Sequence, residues 1–199
     1  DVLEQLGMPI DLSPEAFAES MRRHGLGFLF APHYHPAFKA VVPVRKQLAE
    51  AGCRTVFNIL GPLLNPVRPD YQLVGVFDEK LPKVFAEILG KLGRKVAWAA
   101  HGKTADGHGV DEISTMGPTQ IWSTTLGELT ETTLTPEDLA LPTARVEDLK
   151  GGDASQNASI LTGILDGSIT GAKRDIACAN AGAGFAITGI AGSIQDGIA

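Results

Sequence analysis

The stretch KVAWAAHG, residues 95–102, is an almost unbroken apolar run closed by a glycine. Directly before it lies PKVFAEILGKLG, residues 82–93, whose apolar residues recur at helical spacing. A short apolar run of this length, next to an amphipathic helix, is the pattern of a strand buried on both faces of a sheet by helices. The same alternation recurs along the chain. QLVGVF (72–77) and GFLFAP (27–32) read as further buried strands. Residues 35–52, 153–167 and much of 173–199 read as helices, the first of them in spite of Pro43. Ser13-Pro14-Glu15 is a helix start, with a hydroxyl at the cap and proline at the first helical position, and that helix should run to about Gly25. TQIWSTT (119–125) and ELTETTL (128–134) alternate more cleanly and should form an antiparallel hairpin on one sheet edge. The proline-rich segment 61–71 reads as a fixed loop. The expected architecture is therefore α/β, a mostly parallel sheet flanked by helices with an antiparallel edge hairpin.

At 199 residues, with 44% hydrophobic and 20% charged residues, the chain is long enough to bury a continuous core and outside the range of disordered sequences. A net charge of −6 without long runs of Lys or Arg argues against a general nucleic-acid surface. No apolar stretch reaches membrane-spanning length, and no leader peptide is recognisable, so the expectation is a cytoplasmic protein without membrane contact. Cys53 and Cys178 show no metal-binding or redox spacing and read as buried thiols. The chain opens on DVLEQLG, a helix expected to end at Gly7, without an initiator methionine. It is expected to be cut from a longer protein, and the apolar periodicity of its last helix runs to Ala199 without a stop signal.

Candidate chemistry centres on HGVDEIS (108–114). Asp111 and Glu112 follow the strand at 95–102 in a loop, and in open α/β sheets ligands bind beyond the carboxyl ends of the strands. The pair reads either as a solvated acidic turn or as two hard oxygen donors for Mg²⁺ that keeps its waters and bridges a substrate phosphate. On the helix from residue 35, His35, Phe38, Val42 and Arg45 fall within an arc of about 80°. They are either core residues with a polar margin or the lining of a site for a small planar anion, the ring packing and the guanidinium forking onto a carboxylate. Asp153 in KGGDAS is placed to cap a helix, which competes with any anion for the same N–H groups. GAGFAITG (182–189) lacks the preceding strand and third glycine of a dinucleotide fingerprint. There is no GxSxG elbow and no zinc-ligand spacing.

Taken in order, DVLEQLG, FLFAPHYHPAFKAVVPVRKQL, RTVFNILGPLLNP, GVDEIS, LKGGDASQNASI and RDIACANAGAGF resemble anthranilate phosphoribosyltransferase over essentially the whole chain. The resemblance implies a homodimeric, Mg²⁺-dependent glycosyltransferase of tryptophan biosynthesis that joins anthranilate to phosphoribosyl pyrophosphate. It also implies a small helical domain, largely absent here, of which residues 1–25 would be the end, and a larger α/β domain over 26–199. By the same resemblance Asp111 and Glu112 match the metal-binding pair, Arg45 matches an arginine on the anthranilate carboxylate, and Pro32, His35 and Phe38 match the acceptor channel. Phe38 stands where Tyr or Met is common. The family's GTGGD and KHGN segments belong upstream of Asp1, so the chain by itself is expected to be inactive. QLAEAGCRT is about two residues longer than the family's usual connection. Two rivals share parts of the pattern: a pyrimidine nucleoside phosphorylase-like enzyme, and a non-catalytic relative binding nucleic acid.

Overall fold

The computed structural model describes the chain except residues 31–33, 36–40 and 54; the side chains of Arg45 and Ala49 are likewise outside the description. The chain divides into two compact units, one made of residues 1–66 and 152–159, the other of 67–151 and 160–199.

In the first unit, helix α1 (Val2–Gln5) is capped by Asp1, whose carboxylate accepts from Val2 N at 2.6 Å. Helix α2 (Pro14–His24) begins as its sequence demands: Ser13 Oγ accepts from Ala16 N at 3.2 Å, and Gly25 ends the helix at φ 69°. Only glycine takes that left-handed position without a steric penalty. Helix α3 (Val42–Glu50) carries Pro43 in its first turn, where no intrahelical N–H is required; whether it extends back to His35 falls on undescribed residues. Helix α4 (Phe57–Leu63) occupies the start of the segment expected to be a loop. Asn58 Oδ1 ties its entry by accepting from Thr55 N at 2.9 Å. The expected strand at 27–32 is not formed over 27–30, since no strand among the described residues pairs with that backbone.

The second unit is built on a sheet whose strands lie in the order β1 (Tyr71–Gly75), β2 (Val96–Lys103), β4 (Thr119–Thr125) and β5 (Glu128–Leu134), with the short β3 (Gly109–Val110) beside β2. Strand β1 (Tyr71–Gly75) pairs in parallel with β2 (Val96–Lys103), in register Tyr71↔Val96 to Gly75↔Ala100. Strand β4 (Thr119–Thr125) runs antiparallel to β2, and β5 (Glu128–Leu134) pairs with β4 as the expected hairpin. The hairpin turns on Leu126 and Gly127, both at positive φ (51° and 93°), the geometry of a two-residue primed turn. Parallel pairing among the described strands is the β1–β2 ladder alone, so the sheet there is mixed. Edge strand β5 is polar and exposed along nearly all its length, which discourages further pairing.

Helix α5 (Leu81–Lys91) packs on β2 and β4, burying Phe85, Ala86 and Leu89. Ala97 and Ala99, both 0% exposed, share one face of β2 by strand alternation. The opposite face presents Ala100 and Ile121 to a core with Ala179 and Ala183 of helix α8 (Ala172–Thr188), and Ile113, Leu139 and Ile194 complete that cluster. Alanine on both strand and helix lets the two backbones approach closely. Between β5 and α8 in sequence come helix α6 (Val146–Leu149) and helix α7 (Ala154–Asp166). Asp153 caps α7 as expected: Gln156 N donates to its Oδ1 at 2.8 Å, and Gln156 Oε1 accepts from Asp153 N at 3.1 Å. Much of 173–199 is helical as expected, in two pieces: α8 ends at Gly189 (φ 75°), and α9 (Ile194–Ile198) restarts under a Ser193 cap. Cys53 and Cys178 are both free, but Cys53 is exposed and Cys178 half-buried, so neither is the buried thiol expected. No helix among the described residues is long and apolar enough to cross a membrane.

Candidate metal-binding site

Strand β2 runs out at Lys103 and the chain turns back through a tight loop. Within it Thr104 N donates to His108 O, and His108 N to Thr104 Oγ1, both at 2.9 Å, with Gly107 at φ 87°. The return forms β3 (Gly109–Val110), bonded to Gly102 and Lys103. Asp111 and Glu112 come next, and the chain then dives inward at Ile113, which is 0% exposed. The pair therefore sits at the carboxyl ends of the parallel strands β1 and β2, the location its sequence position suggested.

Two glycines make this crossing possible. A Cβ on Gly75, the last residue of β1, would stand 1.6 Å from the Asp111 carbonyl oxygen. A Cβ on Gly102 would stand 2.6 Å from the Glu112 carbonyl and 2.7 Å from Ser114 Cβ. The loop lies flat on the strand ends because neither strand has a side chain there. Beyond the pair, Ser114 N donates to Thr119 Oγ1 at 2.9 Å and Ser114 Oγ to Lys103 O at 2.8 Å. Asn180 of α8 closes the arrangement: its Oδ1 accepts from Ile113 N at 3.0 Å, and its Nδ2 donates to Ile113 O at 3.0 Å.

Both acidic residues are exposed, and among the described residues neither forms an ion pair. The Glu112 carboxyl is nevertheless lifted above the ordinary glutamate value, first by partial desolvation and then by the adjacent Asp111 charge. Two carboxylates side by side with no cation between them are mutually repulsive, and a divalent cation relieves that repulsion. No group of three His, Cys, Asp or Glu suited to a metal exists among the described residues. Two hard oxygen donors alone suit Mg²⁺, which keeps several waters and takes other ligands from substrate phosphates, and do not suit a fully protein-ligated zinc.

The other candidate residues lie in the first unit. His35 is half-buried, and Val42, taken as a possible core residue, is 53% exposed. Pro32, Phe38 and the Arg45 side chain lie outside the described residues, so the shared face of His35, Phe38 and Arg45 stays a sequence expectation. Sequence reasoning overlooked Gly75, Gly102 and Asn180. A glycine ending an apolar strand and an asparagine set among the alanines and glycines of CANAGAG were the available signals.

Fold and loop together define an α/β domain with an exposed acidic pair beyond its strand ends. The chain belongs to the glycosyl transferase family, a/b domain, whose family model matches residues 1–199. Among curated relatives, the anthranilate phosphoribosyltransferase of Pelodictyon phaeoclathratiforme is 46% identical over 198 residues, covering 100% of this chain and 56% of that protein. That of Haloarcula marismortui is 44% identical, covering 100% and 57%. The chain thus spans little more than half the length of the relatives it matches. Among solved structures, anthranilate phosphoribosyltransferase from Thermus thermophilus superposes with a TM-score of 0.85 at 37% identity, covering 99% of this chain and 56% of that one. The Saccharomyces cerevisiae enzyme in complex with phosphoribosyl pyrophosphate and Mg superposes at 0.84 with 24% identity, covering 99% and 55%; at that identity the likeness is one of fold.

Proposed function

We propose that the longer protein containing this chain is an anthranilate phosphoribosyltransferase of tryptophan biosynthesis, transferring the phosphoribosyl group to anthranilate with release of pyrophosphate. The observation that carries the reading is the Asp111–Glu112 pair seated over Gly75 and Gly102, at the carboxyl ends of strands β1 and β2. The relatives named above support the choice of substrates.

In this reading the ribose carbon acquires oxocarbenium character as pyrophosphate departs, and the anthranilate amine attacks from the opposite face. The amine is already nucleophilic, so the protein's work is positioning and charge stabilisation rather than proton abstraction. Asp111 and Glu112 would hold Mg²⁺, which when bound supplies charge neutralisation for the departing pyrophosphate. Arg45 orients the acceptor through its carboxylate, and Pro32, His35 and Phe38 line its approach. Residues 1–25 belong to the helical part of the longer protein and 26–199 to its α/β part, and the assembly is a cytoplasmic homodimer. The relevant assay is pyrophosphate release by the full-length protein with anthranilate. Asp111→Asn with Glu112→Gln is expected to abolish its Mg²⁺-dependent turnover, and undiminished activity in that double variant would overturn the assignment.

A further inference from the structure

Asn180 sits in the middle of α8, yet its amide is spent away from solvent. Its Oδ1 accepts the Ile113 N–H and its Nδ2 donates to the Ile113 carbonyl, both at 3.0 Å, a two-way clamp on the residue following the acidic pair. The same Nδ2 reaches Ile176 O at 3.0 Å, one turn back in the helix, and Glu112 Oε2 at 3.4 Å. Nδ2 has two hydrogens for these three acceptors, so the bonds to Ile113 O and Ile176 O set the amide's direction and the Glu112 carboxylate shares one of them at longer range. Asp111 and Glu112 are held upstream by the pairing of Val110 with Gly102 and downstream by the two hydrogen bonds of Ser114. Asn180 is the described side chain that bonds both the backbone of this crossing and one of its carboxylates, from an element 67 residues away in sequence.

We propose that Asn180 is a positioning residue for the metal-binding carboxylates, fixing the rotamer of Glu112 and the height of the 111–113 backbone above the strand ends. A neutral amide suits this role, because it donates to a carboxylate without competing for it as a Lys or Arg ion pair would. Partners of this kind behind metal ligands commonly change metal affinity by ~10–100-fold when removed. The proposal rests on the metal reading of Asp111 and Glu112 given above.

The test uses the full-length protein, with Mg²⁺ titrated calorimetrically in the presence of pyrophosphate. Asn180→Ala should raise the Mg²⁺ dissociation constant by ~10-fold or more while the KM for anthranilate stays unchanged. In a Glu112→Gln background, Asn180→Ala should add little further loss, because its effect passes through that carboxylate. If Asn180→Ala does not fold, Asn180→Ser, which keeps a hydroxyl for Ile113, carries the same comparison. A lowered melting temperature with an unaltered Mg²⁺ constant would assign Asn180 to packing alone and overturn the proposal. If Asp111→Asn and Glu112→Gln themselves leave the Mg²⁺ constant unaltered, the metal reading fails, and this proposal fails with it.

Discussion

Replacing Gly75 with alanine asks how closely the acidic loop depends on the strand beneath it. The added methyl would lie 1.6 Å from the Asp111 carbonyl oxygen and 2.4 Å from its carbon. Carbon and oxygen rest comfortably at about 3.5 Å, so the carbonyl must retreat by roughly 2 Å or β1 must yield. Gly75 lies in a regular ladder to Ala100, so the strand resists and the loop should move. The obstructing atoms are backbone rather than a flexible side-chain end, so the cost lies at or above the top of the about 1–3 kcal/mol typical of overpacking, and thermal unfolding checks that the variant folds. A misplacement of about 1 Å at a reacting group can cost 10²-fold, so a larger shift should lower Mg²⁺-dependent pyrophosphate release by at least that factor. The comparison variant is Gly184→Ala in α8, where a Cβ meets nothing within 4 Å; there alanine should stabilise the helix by up to about 1 kcal/mol. Steady-state rates against Mg²⁺ concentration, with thermal unfolding in parallel, provide the readout. A folded Gly75→Ala protein with native metal dependence would refute the argument that the glycine seats the pair.

Two other perturbations address separate parts of the molecule. Arg145 Nη2 and Nε bond Asp148 at 2.8 and 3.0 Å, and Arg145 N donates to the same carboxylate at 3.1 Å. These hydrogen bonds, more than the guanidinium's charge, hold the Asp148 carboxyl at about 2, below the ordinary aspartate value of 3.8. A depressed acid stabilises the fold above its unfolded value and ceases to as pH falls, so this contribution should be lost between about 4 and 2. Carbon-detected titration of Arg145→Ala should move Asp148 upward toward the ordinary range, though not fully to it because the backbone N–H at 145 still donates; a value still near 2 would exclude the guanidinium as a main cause. For the acceptor, Arg45→Ala in the full-length protein should raise the KM for anthranilate much more than that for the phosphoribosyl donor, and equal effects would count against a carboxylate contact.

Local chemistry was readable wherever it decides structure within a few residues. The Ser13-Pro14 helix start, the Asp153 cap with Gln156 behind it and the hairpin at Leu126-Gly127 all follow from neighbours in sequence. The helix at Phe57–Leu63 escaped because Pro62 and the prolines beyond it suggested a loop; Pro62 sits one residue before the helix ends, so the helix gives up the one i→i−4 bond its missing N–H would have made. The position of Asp111 and Glu112 past the end of a strand was legible for a similar reason, since strand direction and loop order are properties of the chain itself.

What the tertiary structure alone decided are encounters between residues far apart along the chain. That β4 runs antiparallel beside β2 while β1 runs parallel depends on which strand edge remained open for pairing. That Gly75 and Gly102 must be bare depends on the carbonyls of Asp111 and Glu112 arriving above them. That Asn180 is bonded to Ile113 and not to water depends on α8 docking across the sheet through alanines. Propensity and capping act over one or two turns, whereas these contacts arise only when packing closes a long loop. The sequence by itself placed two carboxylates at a strand end, and the packed structure supplied the surface that holds them there.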